Sequence, residues 1–139
     1  MNSFTDYLCF RMGALTRRIQ RDYNNKFAEL NITLGQSFVL FRLLENDGSN
    51  VKDIAAAVQL DPPAITGLVD RLAKEGMVER KVDPDDRRTT NIFLTALGRE
   101  TAQKAGVIAV EFNEAMKQAL PGGDLEGFQD ALTALENMI

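Results

Sequence analysis

The sequence predicts a mainly α-helical fold carrying one small β-hairpin, and three observations predict it. Apolar residues recur at steps of three and four along most of the chain. That period changes to two only once, over residues 77–94. Residues that cap or break helices stand at the junctions: Thr33, Asn46-Asp47-Gly48, Asp61-Pro62, Gly76 and Pro121-Gly122-Gly123.

The first helix carries the stripe Leu8, Met12, Leu15, Ile19, Tyr23, Phe27 and Leu30, one apolar face of a long amphipathic element. Asn31-Ile32-Thr33 interrupts it, and Thr33 caps a second helix bearing Phe38, Val39, Leu43 and Leu44. Asn46-Asp47-Gly48 ends that helix in a turn. A short helix then turns Val51, Ile54, Ala55 and Val58 inward. Gln59-Leu60-Asp61 links it to a further helix, with Asp61 as N-cap and Pro62 at the first helical position, where a missing N–H costs nothing. Ile65, Leu68, Val69 and Leu72 form its buried face, and Gly76 stands where a left-handed terminal residue is wanted.

Residues 77–82 alternate, with Val78, Arg80 and Val82 on one side, and residues 91–94 return with Ile92 and Leu94 on one side. The intervening residues 83–90 are too charged to be buried and form a projecting tip. Thr95 restarts a helix of about 25 residues through Leu97, Thr101, Ala105, Ile108, Phe112, Met116 and Leu120. Asp124 caps a last one bearing Leu125, Phe128, Leu132, Leu135 and Met138.

A length of 139 residues suits one domain, and 45% hydrophobic with 26% charged residues excludes a disordered polymer. The single cysteine cannot form an intramolecular disulfide. The absence of histidine excludes Ser-His-Asp or Cys-His catalysis and a His-ligated zinc. G-x-G-x-x-G, G-x-x-x-x-G-K-[ST] and G-x-S-x-G are absent as well, so the expectation is no enzyme and no cofactor. Asp83, Asp85 and Asp86 cluster, but Arg87 and Arg88 follow directly and the spacing is not that of a calcium loop, so no metal is expected. The N-terminus lacks a basic region followed by an apolar run, and no stretch reaches the ~20 apolar residues of a membrane span. The expected location is the cytoplasm, away from any membrane.

The net charge of −4 is unevenly spread. Residues 11–26 hold Arg11, Arg17, Arg18, Arg21 and Lys26 against Asp22, while residues 100–139 hold seven acids against Lys104 and Lys117. Screening confines charge effects to ~10 Å, so an acidic tail does not forbid a local phosphate-binding face.

Two short helices joined by a three-residue turn and followed by a hairpin form a winged helix-turn-helix arrangement, flanked here by helices at both ends. Such a unit presents its second helix to base edges in a DNA major groove and its wing to phosphates or the minor groove. On the helix starting at Pro62, the positions free of burial are Pro63, Ala64, Thr66, Gly67, Asp70, Arg71 and Lys74. The Thr66 hydroxyl can reach a base or phosphate, and Arg71 and Lys74 suit phosphates. Arg87 and Arg88 at the hairpin tip are groove or backbone probes. Any one of these cations could be merely solvated, but all four flank one helix and one hairpin.

The residues Val51-Lys52-Asp53-Ile54-Ala55, Leu60-Asp61, Thr66-Gly67-Leu68-Val69-Asp70-Arg71-Leu72, Gly76-Met77-Val78-Glu79-Arg80, Asp85-Asp86-Arg87-Arg88 and Leu94-Thr95-Ala96-Leu97-Gly98, in this order, resemble the MarR family of bacterial transcriptional regulators. The resemblance implies a homodimer on a pseudo-palindromic operator in double-stranded DNA, acting in repression or less often activation. Residues 1–32 and 100–139 would form the helical dimerisation region, and residues 33–99 the winged domain, all within one 139-residue unit. It also implies that Asp70 pairs with a wing arginine, Arg87 or Arg88, to fix the wing. Many relatives carry a large polar or basic residue where Gly67 stands.

A dimer follows from physics too. The stripe on the last helix is too apolar to face water; a core within one chain could absorb it and that of the first helix, but two long helices outlast a small globular body, and duplex recognition favours two half-sites ~34 Å apart.

The resemblance further implies a signal. Leu8-Cys9-Phe10 is similar to the motif of the peroxide-sensing OhrR branch, with Tyr23 at a matching distance, although that branch places a tyrosine where Leu34 stands. The alternative for Cys9 is inert packing on an apolar helix face. A small-molecule effector, an apolar or phenolic anion, would instead be lined by Phe10, Arg11, Phe38, Phe41 and Arg42, which could equally be core aromatics and solvated arginines. The rival to a DNA-binding regulator is a protein-interaction module, such as an anti-repressor that no longer binds DNA.

Overall fold

The computed structural model describes residues 3–139. They divide into two compact units, one ending at Ala105 and the other spanning Gly106–Ile139.

The first unit opens with a 3-10 turn, Phe4–Asp6, and the long helix α1, Leu8–Phe27. A 3-10 turn, Ala28–Leu30, closes α1 on Asn31, whose φ of +58° is left-handed, so Leu30 at the end of the predicted stripe falls outside the helix. Only Tyr23 and Phe27 of α1 are buried, whereas Leu8, Met12 and Leu15 remain exposed.

Helix α2, Leu34–Glu45, starts at a capping box: Thr33 Oγ1 accepts from the Gln36 N–H, and Gln36 Oε1 accepts from the Thr33 N–H at 2.7 Å. Asn24 of α1 accepts from the Leu34 N–H at 2.8 Å, which joins the start of α2 to the C-terminal part of α1. Helix α3, Val51–Val58, is capped by Asn50 and buries Ile54 and Ala55. Gln59, at φ +58°, turns the chain towards α4, Pro62–Lys74. Asp61 caps α4 by accepting from the Ala64 N–H at 2.8 Å. Ile65, Val69 and Leu72 are buried beneath it, while Leu68 is only half-buried, beside Gly35 of α2.

The sheet has three strands where the sequence predicts a two-stranded hairpin. Strands β2, Val78–Val82, and β3, Thr90–Leu94, pair antiparallel with Arg80 opposite Ile92. A two-residue strand β1, Ser49–Asn50, pairs with the other edge of β3 and gives the order β1-β3-β2. Two residues are too few to show alternation, and β1 follows directly on the turn residues Asn46-Asp47-Gly48. That turn is anchored to β3: the Gly48 N–H donates to the Ile92 carbonyl at 2.9 Å, and Asp47 accepts from the Leu94 N–H at 2.9 Å. Val82 is exposed rather than sharing burial with Val78, because β2 runs out of the core after its first residue.

Helix α5, Ala96–Ala119, begins under Thr95, whose hydroxyl donates to the Gly76 carbonyl at 2.6 Å and accepts from the Gly98 N–H at 3.0 Å. Gly98 is buried against the carbonyl of Met77 so closely that a Cβ there would collide with it. This contact holds the start of α5 against the entry to β2.

The second unit contains the rest of α5, a turn at Pro121–Gly123 and α6, Leu125–Met138. Gly122 and Gly123 both adopt positive φ, +64° and +67°, which any Cβ would oppose. Asp124 then caps α6, accepting from the Gly127 N–H at 2.9 Å. No residue of α6 is buried.

Candidate nucleic-acid interface

The exposed side of α4 carries the residues expected there. Pro63, Ala64, Thr66, Arg71 and Lys74 are exposed and Gly67 is half-buried. Pro63, Gly67, Arg71 and Lys74 follow steps of four, four and three, so they share one stripe of the helix. Arg71 and Lys74 lie in its last turn and form no ion pair among the described residues.

Asp70 does not pair with a tip arginine. Its carboxylate is bonded to the guanidinium of Arg80 in the middle of β2. The physical reason is position: Arg80 projects from the strand beside α4, whereas Arg87 and Arg88 lie beyond the end of β2, on the tip. Alternation places Arg80 on a defined side of the strand, and that signal could have found it.

The tip is organised by two aspartates that the sequence suggested only as a rejected metal site. Asp83 Oδ1 accepts from the Asp85 N–H at 2.8 Å and the Asp86 N–H at 3.3 Å, while Oδ2 accepts from Asn91 Nδ2 at 2.9 Å. Asp86 Oδ1 accepts from the Arg88 N–H at 3.0 Å and from Arg88 Nε at 3.2 Å. The Asp83 N–H and Thr89 carbonyl close the base of the loop at 2.8 Å. The Asn91 amide and the Asp85 N–H hold the Asp83 carboxyl below its ordinary pKa. The Arg88 backbone N–H and side chain do the same for Asp86. These Asx-type turns are legible as an Asp followed two and three residues later by backbone that must turn. Arg87 is exposed and makes no ion pair among the described residues.

The five residues suggested for an effector site fall into two places. Phe10 and Arg11 line an open cavity of about 390 Å³ with Leu8, Met12, Leu15 and Arg18. Phe38, Phe41 and Arg42 line another of about 310 Å³ with Glu45, Ala57 and Val58. Within one chain they do not meet, because α2 joins α1 at Asn24, ~21 Å along the helix from Phe10 at 1.5 Å per residue. Arg42 Nε is buried without a hydrogen-bond partner among the described residues, and Arg42 Nη1 lies 3.6 Å from Glu45.

Cys9 is exposed, so packing within its own chain does not account for it. Tyr23 is buried, and burial first, then the charge of Asp22, raises its phenol pKa. The two stand 14 residues apart on α1, again ~21 Å, so one chain does not bring them together. Among the described residues no group of three or more acidic or cysteine side chains could hold a metal ion, and no helix is long and apolar enough to cross a membrane.

The MarR family model matches residues 32–90, from the cap of α2 to the start of β3. The chain is 32% identical over 132 residues to the organic hydroperoxide resistance transcriptional regulator of Bacillus subtilis (strain 168), covering 94% of this chain and 88% of that protein. It is 37% identical over 97 residues to the HTH-type transcriptional regulator TtmR of Methylorubrum extorquens (strain PA1), covering 70% of this chain but 50% of that protein. In fold it superposes on the crystal structure of CouR from Rhodococcus jostii RHA1 bound to p-coumaroyl-CoA, with a TM-score of 0.81 and 26% identity over 97% of this chain and 95% of that one.

Proposed function

This chain belongs to the MarR family, and we propose from that membership that it is a homodimeric repressor binding a pseudo-palindromic operator in double-stranded DNA. The observation that carries the reading is the exposed stripe of α4 with its two cations, next to a hairpin whose tip presents Arg87 and Arg88. An α-helix with this exposed face fits the major groove, and cations one and two turns further along reach phosphates.

In this reading Pro63, Ala64, Thr66 and Gly67 face base edges, Arg71 and Lys74 hold phosphates, and Arg87 and Arg88 enter the minor groove or its rim. Asp70 positions the wing through Arg80. Residues 33–99 bind DNA, and residues 1–32 and 100–139 supply the dimer interface. A cytoplasmic location accompanies this work on DNA.

Release by a small molecule fits the apolar cavity at Phe38, Phe41 and Arg42, where a buried guanidinium N–H without a partner would suit a ligand's acceptor oxygen. The relative CouR was solved with p-coumaroyl-CoA, an acidic ligand with an aromatic part. No observation favours the protein-interaction or thiol-sensing alternatives over this reading.

Selection of bound duplexes from a random pool at two salt concentrations tests it. Two inverted half-sites about one helical turn apart are expected, with affinity falling steeply with salt at ~0.9 log units per neutralised phosphate. Failure to enrich any duplex in dilute buffer would overturn it.

A further inference from the structure

The turn that closes α2 also holds the strand that leads out of the hairpin. An aspartate in a turn ordinarily bonds to backbone two residues on. Asp47 instead reaches 47 positions along the chain, where its Oδ1 accepts from the Leu94 N–H at 2.9 Å. Its Oδ2 lies 3.5 Å from Arg99 Nη2 in the first turn of α5.

The pairing of β3 explains the first bond. Strand β1 covers only Asn91 and Ile92 on its edge of β3. The Gly48 N–H donates to the Ile92 carbonyl, so the backbone groups of Ile92 point to that edge, and alternation points those of Leu94 there too. Opposite Leu94, strand β1 has ended, and the Asp47 carboxylate accepts the N–H that a strand would have taken. On the other edge Leu94 lies opposite Val78, and the Thr95 N–H donates to the Met77 carbonyl at 3.0 Å. The end of β3 is gripped from both sides, and Asp47 supplies the grip on the β1 side.

The tip lies at the opposite end of the same strands. Strand β3 spans five residues. At ~3.3 Å per residue that is a lever of about 16 Å, so a tilt of about 10° at its end carries the tip roughly 3 Å. We propose that Asp47 is a positioning residue for the tip, fixing the exit of β3 and with it the direction in which Arg87 and Arg88 are presented to a duplex. Asp70 holds one strand of the hairpin through Arg80, and Asp47 holds the other. The bond to Leu94 carries this role rather than the Arg99 pair, whose side chains are 48% and 34% exposed and screened by solvent. The inference rests on the DNA-binding reading above.

The test compares D47A, D47N and R99Q in the full-length protein, with D47A made also in an R87A/R88A background. Fluorescence anisotropy at several salt concentrations reads the Kd for the duplex selected by the parent. D47A removes the acceptor, so binding is expected to weaken about tenfold, with a shallower slope of log K against log salt as the tip arginines lose phosphates. D47N keeps an acceptor oxygen and R99Q keeps the carboxylate, and both are expected within about twofold of the parent. In the R87A/R88A background D47A is expected to cost nothing further, because it acts through those arginines. An equal loss in both backgrounds would overturn the proposal, since a general loss of structure has that effect. D47N or R99Q as weak as D47A would overturn it too, as would D47A equal to the parent. Should D47A not fold, D47E takes its place in the same comparison, since it keeps a carboxylate but displaces it by one methylene. If the parent itself enriches no duplex, the DNA-binding reading falls and this inference with it, whereas the other outcomes strike the inference alone.

Discussion

The carboxylate of Asp70 on α4 is ion-paired with Arg80 on β2, so one bond spans α4 and the first strand of the hairpin. Both side chains are more than a third exposed, at 60% and 39%, so solvent screens the pair and its worth to the fold is at most about 1 kcal/mol. On the proposed DNA-binding reading its effect is larger. A wing that swings relative to α4 cannot place its arginines while α4 is seated. D70N is therefore expected to unfold within ~1 kcal/mol of the parent in urea, yet to lose about tenfold in DNA affinity, with R80Q behaving alike and the double variant no worse than either. Additive losses in affinity would show that the two residues act separately.

The tip arginines differ in their surroundings. Arg88 is held to Asp86 through its backbone N–H and its guanidinium, whereas Arg87 forms no ion pair among the described residues. Replacing both with alanine is expected to lower affinity for every duplex. The salt dependence should flatten by ~0.9 for each phosphate that is no longer neutralised. Melting of the free protein should be nearly unchanged, since both side chains are exposed. Fluorescence anisotropy at several salt concentrations measures the affinity and its slope, and an unchanged slope would remove the tip from the phosphate backbone.

Acid should loosen the tip before the core. Asp83 and Asp86 have pKa values lowered by the N–H donors they accept from, so their contribution is fully present above the ordinary carboxylate pKa. It is lost as pH falls through the lowered folded values. Between pH 7 and 5 the loop is expected to stay fixed, and below about pH 4 the Asp85, Asp86 and Arg88 amides should exchange faster than those of α4. D83N should show the faster exchange already at pH 7. Amide exchange by NMR reads this directly, and uniform exchange across tip and helix at low pH would contradict it.

Gly98 offers a sharper test of the fold. A methyl group there meets backbone, not a side chain that can move aside. G98A is expected to destabilise by about 1–3 kcal/mol or more, as overpacking does, despite alanine's better helix propensity. Urea unfolding measures it, and a more stable G98A would show that α5 can shift away from Met77.

The helix ends were legible because caps are local: Thr33, Asp61 and Asp124 each accept from an N–H three residues on. The exposed face of α4 was equally legible from its period. What sequence alone did not yield were pairings between elements. Arg80 meets Asp70 across ten positions, and its choice over Arg87 and Arg88 depends on how β2 leaves α4. Strand β1 was hidden because its two residues gain their conformation from β3, more than forty positions away. The aromatic and basic residues suggested as one pocket line two different cavities, which composition does not reveal.

Helix α6 keeps Phe128, Leu132 and Met138 in contact with solvent. Wetting such a surface is unfavourable by ~25 cal/mol per Å², so solitary copies are penalised and crowded ones favoured. Its heat tolerance should consequently climb with the amount of protein present. On the proposed reading, in which a second copy covers this face, hold on duplex DNA should likewise weaken faster than in proportion as the protein is diluted.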